Sequence, residues 1–201
     1  MQNNEPMRNI SLKSNPKYSK ILNEIDKLMA LNDKILIAID GNSGAGKSTF
    51  ANMFHKYYDC NIFHMDDFFL RPNLKTPKRL KEVGGNVDYV RFKEEILDNL
   101  TKDVEFKYQV YNCKIQALDS FTIVKPKKLN IIEGSYSMHP TLINYYDYKI
   151  FFSIDSKSQI KRILERNGEF MLKRFIDEWI PKENEYFSKF NTRGLADIII
   201  D

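Results

Sequence analysis

The stretch Ile35-Leu-Ile-Ala-Ile-Asp-Gly-Asn-Ser-Gly-Ala-Gly-Lys-Ser-Thr49 decides the fold of this chain. Its first five residues are a continuous apolar run, the pattern of a strand buried on both faces of a sheet. Gly41 to Ser48 then spell G-x-x-x-x-G-K-[ST], a loop whose backbone N–H groups turn inward around a phosphate chain. Glycine lacks Cβ, so the main chain can approach the anion closely. Gly41, Ser43, Gly44, Ala45, Gly46, Lys47, Ser48 and Thr49 are therefore the expected phosphate ligands. Within this set Lys47 reaches the outer phosphates and the Ser48 hydroxyl ligates Mg²⁺. A helix from Lys47 to about Tyr58 brings its positive end to the same charge. The loop predicts a nucleoside triphosphate ligand, ATP, with GTP as the other donor it admits.

Outward from this loop, apolar strands alternate with helical segments. Asn61 to Met65 reads as a second short strand, and Tyr89 to Leu100 carries Phe92, Ile96 and Leu100 on one helical face. Val104 to Val124 alternates as irregular β structure. Leu129 to Glu133 and Tyr148 to Ile154 are further buried strands, Ser156 to Arg166 opens a run of helices, and Ala196 to Ile200 closes the sheet. This order predicts an α/β fold, a three-layer P-loop sandwich whose parallel sheet has helices on both faces. The expected organisation is a flexible segment over residues 1–16 followed by one domain over 17–201. An acceptor-binding insertion spans about 71–128, and a helical lid with its following helices spans about 156–190. From Lys17 on, Ile21, Leu22, Ile25, Leu28 and Met29 recur at helical spacing, which predicts an amphipathic helix at the sheet edge.

The 201 residues suit one domain, and 42% apolar content with 13% aromatics supplies a core. A net charge of +4 without a basic stripe argues against nucleic acid. The polar start, Met1 to Leu12, lacks the apolar region of an export signal, and the apolar runs are too short to span a bilayer. Cys60 and Cys113 offer neither a disulfide framework nor metal-ligand spacing, which fits a reducing, cytoplasmic setting. Cys60 reads as a small buried hydrophobe.

Ligands of parallel sheets sit beyond the carboxyl ends of the strands. Three chemically loaded segments fall there: the phosphate loop, Asp66-Asp67 and Glu133. Glu133 is the candidate carboxylate for Mg²⁺. Asp66 is the candidate general base, able to take the proton of an attacking alcohol, with Asp67 its rival, an N-cap or a supporting partner behind the site. Phe68 and Phe69 are either a wall of the acceptor pocket or plain core, and His64 reads as a core or edge histidine. Arg162 and Arg166 are spaced i, i+4 on one helix face and can clamp phosphates under a lid. Arg71 stands close enough along the chain to touch the acceptor, whereas the rest of the Arg71 to Lys81 cluster and Lys125 to Lys128 read as solvated loops.

Taken in order, the phosphate loop, Met65-Asp-Asp-Phe-Phe69, Asn86-Val-Asp88, Gln109-Val-Tyr111, Ile132-Glu-Gly134, Lys149-Ile-Phe-Phe152, Arg162 with Arg166, and Ala196-Asp-Ile-Ile-Ile200 resemble the uridine kinase and phosphoribulokinase group of P-loop kinases. The resemblance covers most of residues 35–201. It implies transfer of the ATP γ-phosphate to the 5′-hydroxyl of a nucleoside, or to another small alcohol such as a sugar or pantothenate-like acceptor. By that resemblance Asp66 is the base, Asp88 binds the sugar, Tyr111 lines the base pocket, Glu133 attends the metal, and Arg162 and Arg166 belong to the lid. Asn191 to Leu195 resembles the loop that passes the adenine. Where the family carries a base-reading histidine, this chain offers Gln116, and Asn167-Gly-Glu-Phe170 replaces the family's arginine-rich loop. Related kinases include oligomers, so self-association is also expected to be accessible.

Overall fold

A computed structural model describes residues 16–201. The expected flexible N-terminal segment lies, apart from Pro16, outside the described residues. Five strands form one parallel sheet: β1 (Ile35–Gly41), β2 (Cys60–His64), β5 (Leu129–Glu133), β6 (Tyr148–Phe152) and β7 (Ile198–Ile200), in the spatial order β2-β5-β1-β6-β7. Two more, β3 (Phe106–Asn112) and β4 (Ala117–Val124), pair as an antiparallel hairpin between β2 and β5 in the chain, where irregular β structure is expected.

Side chains of a strand alternate between the two sheet faces. Along β1, Ile35, Ile37 and Ile39 enter one core, and Ala38 enters the other. The first core is covered by α1 (Pro16–Leu31) and α2 (Lys47–Phe54), through Ile21, Leu22 and Ile25 and through Phe50 and Phe54. Tyr18 meets Phe50 with ring centroids 4.9 Å apart, so α1 lies across α2 on a face of the sheet rather than at its edge. The second core gathers Phe63, Phe68, Phe92, Ile96 and Tyr186. Truncating a fully buried ring such as Phe92 to alanine costs about 3–5 kcal/mol.

The predicted helix over 89–100 is present as α4 (Tyr89–Phe92), a π turn (Lys93–Leu97) and α5 (Asp98–Leu100). The Arg71 to Lys81 segment is partly ordered: α3 (Pro77–Leu80) is capped by the Thr76 side chain, which accepts from Arg79 N at 3.1 Å. Helix α6 (Ser156–Arg174) starts on an Asp155 cap and runs eight residues past Arg166. It breaks at Gly168, where φ is 76° and ψ is 171°. A π turn (Phe175–Trp179) leads into α7 (Ile180–Phe190), followed by α8 (Thr192–Leu195). No helix among the described residues is long and apolar enough to cross a membrane.

Both neighbours of β1 follow it in the chain, and the connection from β5 to β6 crosses from one side of β1 to the other. A parallel sheet opens a crevice at the carboxyl end of such a switch point. The phosphate loop, His64 with Asp66, and Glu133 all end there.

Candidate active site

Gly41 ends β1 with φ of 131°, and a Cβ on it would stand 1.9 Å from the Phe152 carbonyl oxygen of β6. Only glycine lets the chain turn out of the sheet at this point. The loop then wraps to Gly46 at the start of α2. Lys47 is buried, and its ammonium donates to the carbonyls of Gly41 (2.7 Å) and Asn42 (3.0 Å). It also lies 3.4 Å from the Ser135 hydroxyl. On the same turn of α2, the Ser48 hydroxyl donates to Glu133 Oε2 at 3.1 Å.

Glu133 is the last residue of β5, in register with Ile39 of β1 and His64 of β2. Its other oxygen meets His64 Nδ1 at 2.5 Å, and that bond raises the imidazole above its ordinary value. The two hard oxygens of Ser48 and Glu133 suit Mg²⁺, which takes one or two protein oxygens and completes its shell from water and phosphate. The donor set therefore fits the implied cation. His64 is the expected edge histidine: it ends β2, the edge strand of the sheet, and its ring is satisfied by Glu133. It is half-exposed beside the acid, because β2 and β5 end in register.

Beyond β2, Met65–Phe68 form a 3-10 turn that points two acids differently. Asp67 Oδ2 accepts from the Tyr108 hydroxyl of the hairpin at 3.0 Å. Among the described residues no hydrogen bond holds the Asp66 carboxylate. Asp66 is accessible to solvent although protein crowds it on most sides, and the crowding, reinforced by Glu133, raises its carboxyl above the usual range. Phe68 is core, stacked on Tyr108 with centroids 5.4 Å apart. Phe69 is half-buried and bridges to Val87.

Among the residues expected to bind the acceptor, Asp88 caps α4: its Oδ1 accepts from Arg91 N at 3.1 Å. Its Oδ2 is buried without a hydrogen bond and stands 3.9 Å from the Arg71 guanidinium. Arg71 Nε and the Tyr111 hydroxyl are likewise buried and unpaired, and Lys75 lies 5.8 Å from the centre of the Tyr111 ring. Gln116 is exposed on the hairpin turn with φ of 53°. The two arginines of α6 part company. Arg162 donates to the Gly44 carbonyl at 3.2 Å, whereas Arg166 turns to Asn167 Oδ1 at 2.7 Å and lies 5.9 Å from the Phe175 ring.

Residues 15–185 match the KAP family P-loop domain. The chain belongs to this family. Among curated proteins, this P-loop protein is 26% identical over 171 residues to the uridine kinase of Ureaplasma parvum serovar 3, covering 78% of this chain and 81% of that one. Among solved structures, a possible uridine kinase from Bacillus stearothermophilus superposes with a TM-score of 0.65 at 16% identity, over 90% of this chain and all of that one. A D-glycerate 3-kinase from Cryptococcus neoformans var. grubii serotype A gives 0.57 at 12% identity, over 82% of this chain and 86% of that one. The chain is a uridine kinase-like P-loop kinase.

Three parts of this kinase's site are missing from a reading of its motifs. Asp40, fully buried, accepts from Gly41 N (2.7 Å), Met138 N (2.8 Å), Tyr136 N (3.2 Å) and the Tyr186 hydroxyl (2.7 Å). It ties β1, the loop after β5 and α7 into one body, and burial lifts its carboxyl to about 6. Arg91 is the second: buried over the Phe68 ring at 4.2 Å, it donates to the carbonyls of Gln109 (2.7 Å) and Asp67. Gln159 of α6 is the third, donating to the Ser43 carbonyl at 3.0 Å. An acid directly after the apolar run Ile35 to Ile39 is a readable signal for Asp40. Nothing local marks Arg91 or Gln159, whose partners lie far along the chain.

Proposed function

We propose that this kinase transfers the γ-phosphate of ATP to the 5′-hydroxyl of a nucleoside of the uridine or cytidine type. The observation that carries the reading is a set of buried polar atoms, Asp88 Oδ2, Arg71 Nε and the Tyr111 hydroxyl, that have no hydrogen-bond partner. Unpaired buried polar groups cost free energy unless a ligand satisfies them, so this set suits an acceptor rich in hydroxyls. The printed name of the curated relative, a uridine kinase, supports the same choice of acceptor.

In this mechanism the backbone N–H groups from Gly44 to Thr49 hold the β- and γ-phosphates. Lys47 exchanges its carbonyl partners for phosphate oxygens, and Arg162 stands at Gly44 to offset charge from the lid side. Mg²⁺, held through Ser48 and Glu133, neutralises the outer phosphates when bound. Asp66 receives the proton of the acceptor hydroxyl as that oxygen bonds to the γ-phosphorus and the bond to the bridging oxygen of ADP breaks. A carboxyl raised by its surroundings is the more basic partner for that proton. Tyr108 occupies Asp67, which supports Asp66 over its neighbour.

The test is purified protein with Mg-ATP and a panel of nucleosides, read as 5′-monophosphates. Turnover of uridine or cytidine is the expected result. Inactivity with every nucleoside, together with activity on a sugar acid or another alcohol, would replace the acceptor and keep the kinase. The charges of Arg71 and Lys75 at the pocket favour a carboxylate-bearing alcohol as that second reading.

A further inference from the structure

Glu183 of α7 is a buried carboxylate that none of the motifs explains. Its Oε2 accepts from the Ser43 backbone N–H at 3.1 Å, and its Oε1 accepts from the Ser43 hydroxyl. The Ser135 hydroxyl lies 2.9 Å from Oε1 and 3.0 Å from the Gly41 carbonyl. No ion pair to Glu183 occurs among the described residues. A buried carboxylate without a cation, next to the loop that receives a triphosphate, is unfavourable twice over: it loses hydration and it repels the ligand. Packing alone would be better served by a neutral side chain.

The contacts show what the acid does to the loop. Ser43 is held at both ends of its peptide units, its N–H by Glu183 and its carbonyl by Gln159 of α6. Gly44, the next residue, is held at its carbonyl by Arg162. One turn along α7, Tyr186 bonds Asp40 at the base of the same loop. The arm formed by α6 and α7 therefore grips the loop apex from two sides and its root from a third.

We infer that Glu183 is a positioning residue for ATP, fixing the Ser43–Gly44 apex so that the following N–H groups point at the phosphates. Its reach, rather than its charge, is what the nucleotide needs. This rests on the phosphate loop binding ATP and is independent of the acceptor, because the test uses nucleotide alone.

MgATP binding is measured by titration calorimetry, without acceptor, on the wild type and on Glu183→Ala, Glu183→Gln and Glu183→Asp, with Tm recorded for each. Losing the acceptor that holds the loop apex should weaken MgATP about tenfold in Glu183→Ala. Glu183→Gln keeps an acceptor oxygen at full reach and removes the repulsion, so it stays within about threefold of wild type or binds more tightly. Glu183→Asp keeps the charge but withdraws it, and weakens MgATP much as alanine does. In turnover assays the alanine variant raises the KM for ATP and leaves the KM for the acceptor unchanged. Wild-type or tighter MgATP binding by Glu183→Ala would overturn the inference, since the acid would then compete with phosphate or merely support the fold. A lower Tm with unaltered affinity has the same meaning. Should the alanine variant not fold, the other pair decides: the comparison of Glu183→Gln with Glu183→Asp supports the inference only when Gln binds well and Asp poorly, and any other order overturns it.

Discussion

The two sides of the cleft treat their polar groups in opposite ways. On the phosphate side Lys47, Ser48, Ser43 and Glu133 all hold protein partners, and Asp40 alone gathers four donors. On the proposed acceptor side Asp66 stands open, and Asp88 Oδ2, Arg71 Nε and the Tyr111 hydroxyl make no hydrogen bond. The first side is pre-organised: its loop is braced from β1, β5, α6 and α7, so binding a triphosphate exchanges partners without building the cradle. The second keeps donor and acceptor capacity in reserve, and a ligand must supply what is missing. The lesson is that one cleft can be braced on one side and hold unsatisfied polar groups on the other.

The comparison breaks most sharply at Lys47. Replacing it with alanine removes the charge that follows the transferring phosphate, and turnover should fall about 10³-fold. A steady-state assay at saturating MgATP that shows less than a tenfold loss would remove Lys47 from the mechanism. Next comes Asp66→Asn, expected to lower kcat about 10²-fold with ATP affinity kept, because it touches only the acceptor proton. Asp67→Asn is expected to cost less, since Tyr108 already occupies that carboxylate. A larger loss in Asp67→Asn reverses the roles of the two acids.

Asp88→Asn sharpens the contrast on the acceptor side. It retains an oxygen for the Arg91 cap but loses the unpaired acceptor, so the KM for the acceptor should rise about tenfold while the KM for ATP stays put. Equal changes in both would mean that Asp88 supports the fold and reads no ligand.

The smallest effect concerns stability. His139 stacks on Tyr89 with centroids 4.1 Å apart, and burial lowers its pKa from 6.5 to about 4. Between those values the unfolded chain binds a proton that the folded protein does not. Stability should therefore decline as pH falls from about 6.5 to about 4. His139→Phe removes this slope in a series of Tm measurements across that range. An unchanged slope would assign the acid sensitivity to other groups.

Legibility in the sequence follows the same division. Gly41 to Ser48 could be read because one short segment contains the whole phosphate loop. Glu133 could be read because an acid ending an apolar strand falls at the sheet's carboxyl edge. Arg162 and Arg166 looked equivalent at i, i+4, yet only Arg162 meets the loop, since Gly168 breaks α6 and Arg166 turns to Asn167 and Phe175. His64 is legible as an edge histidine, but its partner Glu133 is not, because that contact comes from two strand ends meeting in register.

By itself the sequence determined the parallel sheet, the triphosphate loop and the two acids at the strand ends, because each depends on a local period or on a motif within a few residues. Only the tertiary structure decided that Tyr108 engages Asp67 and leaves Asp66 open, that Asp88 faces Arg71, and that Glu183 braces Ser43 across 140 positions of chain. Those pairings depend on which strands and helices become neighbours, and hydrogen bonds only a few ångströms long exist once the packing has brought their ends together.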